Sequence, residues 1–375
     1  MKEKKASILV VLMILSGFVL GPALLVYWVD PFQVYHRSFL KQTGYGSNQW
    51  YQHAGWVNTV LSNPEEKYSA VVLGSSVAAN YDQHLFESKL PSWGRVMNLS
   101  VNGGVPKMQS SIAESVLNKA KNVKHIFWDV HYFYAIGSEV GKDLDFPYYL
   151  YDKKLYNDSP YFFNSSNVYS SIKEVFGNYS EFSYDIINNG PWYQGLLNAG
   201  RFDVFSPVEK KKEMLGKLNF DSSFSPQKKE EYSRRLYPNV DKHLLDIVMP
   251  ICNSDIKVDI VFSPTTRYFY ATTLDVDFLY KQIYMRRYIV EKVQRCNNVR
   301  VFAFDNEDWI TTNLANYADF FHFDKKINGY ILESIASDKH QLTLSNIDEY
   351  ERQFIAAINA YPQLFKAQLQ ESEQH

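Results

Sequence analysis

The hydrophobic positions of this 375-residue chain follow three different rules. Residues 6–29, ASILVVLMILSGFVLGPALLVYWV, form one apolar run without a charge. Beyond residue 67, short apolar runs stop at Gly, Ser, Asn or Asp. They alternate with segments whose apolar residues recur at helical spacing. The short runs are YSAVVLGSS (68–76), VMNLSVNGG (96–104), VKHIFWDVHYFY (123–134) and residues 256–262 and 299–304. The helical segments include VAANYDQHLFESKL (77–90), KMQSSIAESVLNKAK (107–121) and LDVDFLYKQIYMRRYIVEKVQRC (274–296). This alternation predicts an α/β domain, a three-layer α/β/α arrangement with a parallel sheet covered by helices on both faces. In such sheets active residues gather at the carboxyl ends of the strands. Between about 138 and 240 the rhythm breaks into Tyr-, Phe-, Asn- and Ser-rich sequence such as DFPYYLYDKKLYNDSPYFFNSSNVYSS. That stretch is read as a loop-rich insertion packed by aromatics, or as the wall of a groove presenting rings to sugar faces.

The run Ala6–Val29 is long enough for about 36 Å of helix, sufficient to cross a hydrocarbon core of roughly 30 Å. A cleaved signal peptide is the competing reading, but its apolar region is normally about 7–15 residues. This run is longer and ends in Tyr27 and Trp28, which favour the membrane–water interface. Lys2, Lys4 and Lys5 sit hard against its start and favour a cytoplasmic tip of residues 1–5. Residues 30–66 then read as a tether with a first helical segment, and 67–375 as the main domain carrying the insertion. A single-pass protein facing the periplasm or cell exterior is expected.

Lys and Arg total 39 against 41 acidic residues, so there is no basic footprint for nucleic acid. Nine histidines include no HExxH pair, and no phosphate-binding glycine loop is present, so neither a metal nor a nucleotide cofactor is expected. The two cysteines, Cys252 and Cys296, each close a helix-like stretch ahead of a β-rich one. They would meet if those strands are neighbours; otherwise they are two buried small hydrophobes.

Candidate chemistry clusters at the ends of the expected strands. Gly74-Ser75-Ser76 sits where a strand turns into a helix, beside backbone N–H groups able to stabilise an oxyanion. Such serines also merely cap helices. Asp319 and His322, three apart, could set an imidazole over a serine with the carboxylate orienting it. Alternatively Asp319 is a cap and His322 a packed ring. Gly103 and Gly104 follow the second strand and allow close backbone approach. Asp129 and His131 end the third strand, and Arg267 and Tyr268 lie just past the fourth, where substrate contacts are expected.

In this order the blocks resemble the SGNH/GDSL hydrolase superfamily over roughly residues 68–330. The family's serine is the third residue of Gly-x-Ser, which falls on Ser76, with Ser75 as the fallback. Its second block falls on Gly103 or Gly104, and its Asp-x-x-His on Asp319 and His322. The third block departs from the pattern: Gly-x-Asn is replaced by Asp129-Val130-His131, with His131 in the donor's place. Together with the N-terminal run, the likeness is to the bacterial envelope branch that transfers D-alanine to teichoic acid or O-acetylates alginate and other exopolysaccharides. That resemblance implies a flavodoxin-like sheet, an acyl-serine intermediate, a polysaccharide substrate and a multi-span membrane-bound O-acyltransferase as partner. A carbohydrate esterase of the same fold, or a non-catalytic polysaccharide-binding scaffold, are the alternative functions.

Overall fold

The computed structural model describes residues 17–18, 20–36, 49–136, 145–176, 208–218, 229–272 and 276–374. The chain divides into two compact units. The first comprises Met1–Glu66, Glu114–Lys121 and Asp145–Ile187; the second comprises Lys67–Ala113, Asn122–Leu144 and Asn188–His375.

The second unit is built on a six-stranded sheet. Its strands are β1 (Tyr68–Leu73), β2 (Arg95–Asn98), β3 (His125–Asp129), β4 (Lys257–Phe262), β5 (Val299–Ala303) and β6 (Gln341–Leu342), in the order β2-β1-β3-β4-β5-β6. β1 to β5 are parallel, and nearly every residue in them is at least half-buried, which is why they read as continuous apolar runs rather than alternating ones. The sheet is mixed, not wholly parallel as expected, because β6 joins β5 antiparallel at the edge. Two residues are too few to leave a hydrophobic pattern. The chain runs from β1 outward to β2 and then back across to β3 on the other side. The carboxyl ends of β1 and β3 therefore flank the point where winding reverses, the place where such sheets leave a crevice.

Side chains from several elements lock this unit. Val72, Phe127, Val261 and Phe302 of the sheet share one core with Tyr81, Phe86, Tyr317, Phe323, Ile327 and Ile331, all at most 3% exposed. Arg286 of helix Val276–Val293 and Asp305, just past β5, form a buried ion pair, with the Tyr270 and Tyr350 hydroxyls donating to the same carboxylate at 3.1 and 3.0 Å. Every oxygen of that charge has partners, the condition under which burying it is tolerable. Cys252 and Cys296 are disulfide-bonded. β4 and β5 are adjacent, and the bridge ties the segments that enter them.

In the first unit the organising residue is Asp30, fully buried and in the left-handed region at φ 44°. Its carboxylate accepts the backbone N–H groups of Val34, Tyr35 and His36 and the Tyr161 hydroxyl, at 2.7–3.0 Å. These bonds oppose the burial that pushes its pKa upward. Among the described residues no helix is long and apolar enough to cross a membrane. Of the expected span, positions 6–16 and 19 lie outside the described residues, and residues 20–29 are helical. Of the expected 138–240 insertion, 145–176 belongs to the first unit, 208–218 and 229–240 to the second, and the rest lies outside the described residues.

The disulfide spans a sequence separation of 44 residues. Converting both cysteines to serine should lower the unfolding free energy by about 2–4 kcal/mol, mainly by freeing the unfolded chain, which denaturant titration with and without reductant measures.

Candidate active site

The loop after β1 is tight because Gly74 leaves no room beneath it. A Cβ there would meet the Cβ atoms of Ala78 and Asp129 at 2.8 and 2.9 Å. Ser75 follows in extended conformation, and Ser76 opens a single tight turn, Ser76–Asn80. The helix expected over 77–90 is thus two pieces. The chain re-extends at Tyr81, and Asp82 caps a separate helix, Gln83–Lys89, by accepting the Leu85 N–H at 2.7 Å. Asn98 at the end of β2 clamps the first piece, donating to the carbonyls of Ala78 and Tyr81 at 2.8 and 2.9 Å.

Far along the chain, residues 317–323 close a small loop. Tyr317 and Phe323 pair across it, both fully buried, and the Ala318 N–H bonds the His322 carbonyl at 2.8 Å. Inside the loop one carboxylate oxygen of Asp319 accepts the N–H groups of Phe321 and His322, both at 2.8 Å. The other meets His322 Nδ1 at 2.5 Å, and His322 Nε2 lies 2.9 Å from Ser76 Oγ. Asp319 is therefore a local cap and the partner of the imidazole at once. Burial pushes its pKa up, but the His322 ring and the two backbone donors outweigh that and hold it below the usual range, so it stays ionised.

Two cross-links bring the loops into register. Asn80 Nδ2 donates to the Phe323 carbonyl at 3.1 Å, one residue from the imidazole, and Lys325 pairs with Asp82. A third support comes from the segment after β4: Thr266 N–H bonds the Phe320 carbonyl at 3.0 Å, and Tyr268 stacks on Phe320. None of these ties has a sequence signal beyond a polar residue in an apolar turn, and Asn80 escapes the reading of the sequence for that reason.

The remaining candidates divide. Gly103, at φ +66°, turns the chain after β2, and Val101 N–H bonds the Gly74 carbonyl at 3.0 Å, seating this turn beside the serine loop. Gly104 N–H is spent on the Val101 carbonyl at 2.7 Å, whereas those of Gly103 and Ser76 take no backbone partner among the described residues. His131 follows β3 with both ring nitrogens inaccessible and unbonded, against the rings of Tyr132, Phe133 and Phe321. Burial lowers its pKa to about 3, the nearby His322 adding to the effect, so it is a neutral imidazole. Asp129 lies fully buried below; one carboxylate oxygen accepts the Ser263 hydroxyl and the other has no partner. Arg267 is not brought to the triad. It is buried, and its guanidinium is engaged by Asp308, the Asp305 carbonyl and Thr311 at 2.7–2.9 Å, bracing the loop after β5. Tyr268 likewise donates inward, to the Met214 carbonyl. Among the described residues no three His, Cys, Asp or Glu side chains converge on a point that could hold a metal ion.

The chain matches no family model, and neither a curated protein nor a solved structure gives a match. The chemistry must be argued from the arrangement itself. An ionised carboxylate can only accept, so Nδ1 carries the proton and Nε2 is left to accept from the Ser76 hydroxyl. Ser76 is thus paired with a base, and Ser75 is not.

Replacing Asn80 with Ala should remove its hydrogen bond to the buried Phe323 carbonyl and cost about 1–3 kcal/mol, read by chemical denaturation. Burial raises the Asp129 pKa from 3.8 to about 7, with Ser263 opposing. Between those values the unfolded chain ionises while the folded protein keeps its proton, so this group makes stability fall as pH rises. Asp129→Asn should remove that slope, seen as flatter denaturant midpoints from acid to neutral pH.

Proposed function

We propose that this protein is a membrane-anchored serine acyltransferase of the SGNH-hydrolase type, acting outside the cytoplasm on a cell-envelope or secreted polysaccharide. The observation that carries this reading is the Asp319–His322–Ser76 chain of hydrogen bonds at the carboxyl edge of the sheet. The order β2-β1-β3-β4-β5 is that of flavodoxin-like sheets, the core of a three-layer α/β/α fold, with the serine at the switch point.

In this mechanism Ser76 Oγ attacks the carbonyl carbon of an acyl ester while its proton passes to His322 Nε2. Asp319 stabilises the resulting imidazolium. The N–H groups of Ser76 and Gly103 are the proposed oxyanion donors, and His131, whose ring nitrogens are enclosed, serves as the third donor only if its ring turns toward the serine. The intermediate collapses as His322 returns its proton to the leaving oxygen, and the acyl group remains on Ser76. A sugar hydroxyl then repeats the attack with His322 as base, and the ester moves to the glycan. A multi-span membrane-bound O-acyltransferase is the proposed source of the acyl group. With water as acceptor the same steps make a carbohydrate esterase. A non-catalytic polysaccharide-binding scaffold is the second reading, and it draws on the departure at Asp129-Val130-His131.

A fluorophosphonate probe should label the full chain in detergent. Ser76→Ala should abolish labelling and Ser75→Ala should keep it, while Asp319→Asn should slow it by about 10²–10⁴-fold. An unlabelled wild-type protein with intact thermal unfolding would favour the scaffold.

A further inference from the structure

Helix Ser165–Phe176 of the first unit is inside out. A helix in a water-soluble domain turns its apolar stripe inward. Here the inward face is polar: Asn167, Ser170, Ser171 and Glu174 are each at most 5% exposed. Asn167 donates to the Tyr161 carbonyl at 2.8 Å, and Ser171 bonds back to the Asn167 carbonyl at 2.9 Å. The outward face carries Tyr169, Ile172, Val175 and Phe176, with exposures of 59, 43, 36 and 84%. Leaving such a row in water forfeits about 25 cal/mol for each Å² of apolar surface, so a second surface must cover it.

We propose that this outward face rests on lipid, in the interfacial layer of a bilayer. The face is continuous with the apolar N-terminal segment. Phe162, just before the helix, contacts Tyr27 (ring centroids 6.1 Å apart) and stacks on Tyr35 at 5.1 Å, and Tyr161 is bonded to Asp30. This cluster joins the helix to residues 20–29, whose Leu24, Tyr27 and Trp28 are more than half exposed. That segment in turn continues the uncharged sequence beginning at Ala6. Its composition fits as well. Aromatic rings with a lysine among them suit the head-group layer, and the Lys173 ammonium lies 4.7 Å over the Tyr169 ring. The helix lies along the membrane surface and fixes the tilt of the unit, rather than crossing the bilayer.

The inference shares with the proposed function only the placement at a membrane, not the chemistry. Both native cysteines are paired, so a single introduced cysteine takes a polarity-sensitive fluorophore selectively. Full-length Ile172→Cys and Phe176→Cys proteins, with Lys339→Cys in the second unit as the exposed control, would be reconstituted into phosphatidylcholine–phosphatidylglycerol vesicles and floated. The expected result is blue-shifted emission at both helix positions and its loss when the lipid carries a nitroxide near the head group, with the control unchanged. Flotation with water-like emission overturns the proposal. So does blue-shifted emission that the nitroxide leaves intact, because protein then covers the face. Failure to float overturns this placement and the anchor together, while labelling of Ser76 by the fluorophosphonate still reports on the chemistry.

Discussion

A carboxylate has no proton to give, and that constraint orders the whole site. With Asp319 on one side of the imidazole, His322 must present a lone pair on the other, and Ser76 stands where that lone pair points. The arrangement depends on holding two loops 246 residues apart in register to within a hydrogen bond. The serine loop is fixed from below by the close fit of Gly74 against Asp129 and from the side by Asn98. The histidine loop is fixed by the pairing of its buried ends and by Thr266. Asn80 and Lys325 join the two.

Two buried groups beside this relay lean toward their uncharged forms. His131 and Asp129 sit at the end of β3, each buried and each disfavouring its charged form. Asp319 differs because three hydrogen-bond donors converge on it.

How far the sequence could be read depended on range. The five parallel strands were visible because burial on both faces writes an unbroken apolar run, and the switch from run to turn located Ser76, Gly103 and His131. Asp319 and His322 were visible because a three-residue spacing lets carboxylate and imidazole meet within one turn. What could not be seen rests on pairings between distant segments. β6 is two residues defined only by its neighbour, and the break at Asn80–Asp82 follows from Asn98 and Phe323, neither of which marks the segment itself. The cysteine pairing stayed open until β4 and β5 were adjacent. Arg267 reads as a substrate contact from its position after a strand, but Asp308, Asp305 and Thr311 take its two terminal nitrogens, and its Nε is buried without a partner.

The Cys252–Cys296 bridge lies at the edge of the sheet where β4 and β5 begin, whereas Ser76 and His322 lie at the opposite edge. The covalent clasp anchors one rim regardless of what the other carries. Segment 263–270 on the far rim is held instead by many weaker ties through Thr266, Arg267 and Tyr268, so the sheet is stapled covalently on one side and laced by hydrogen bonds on the other.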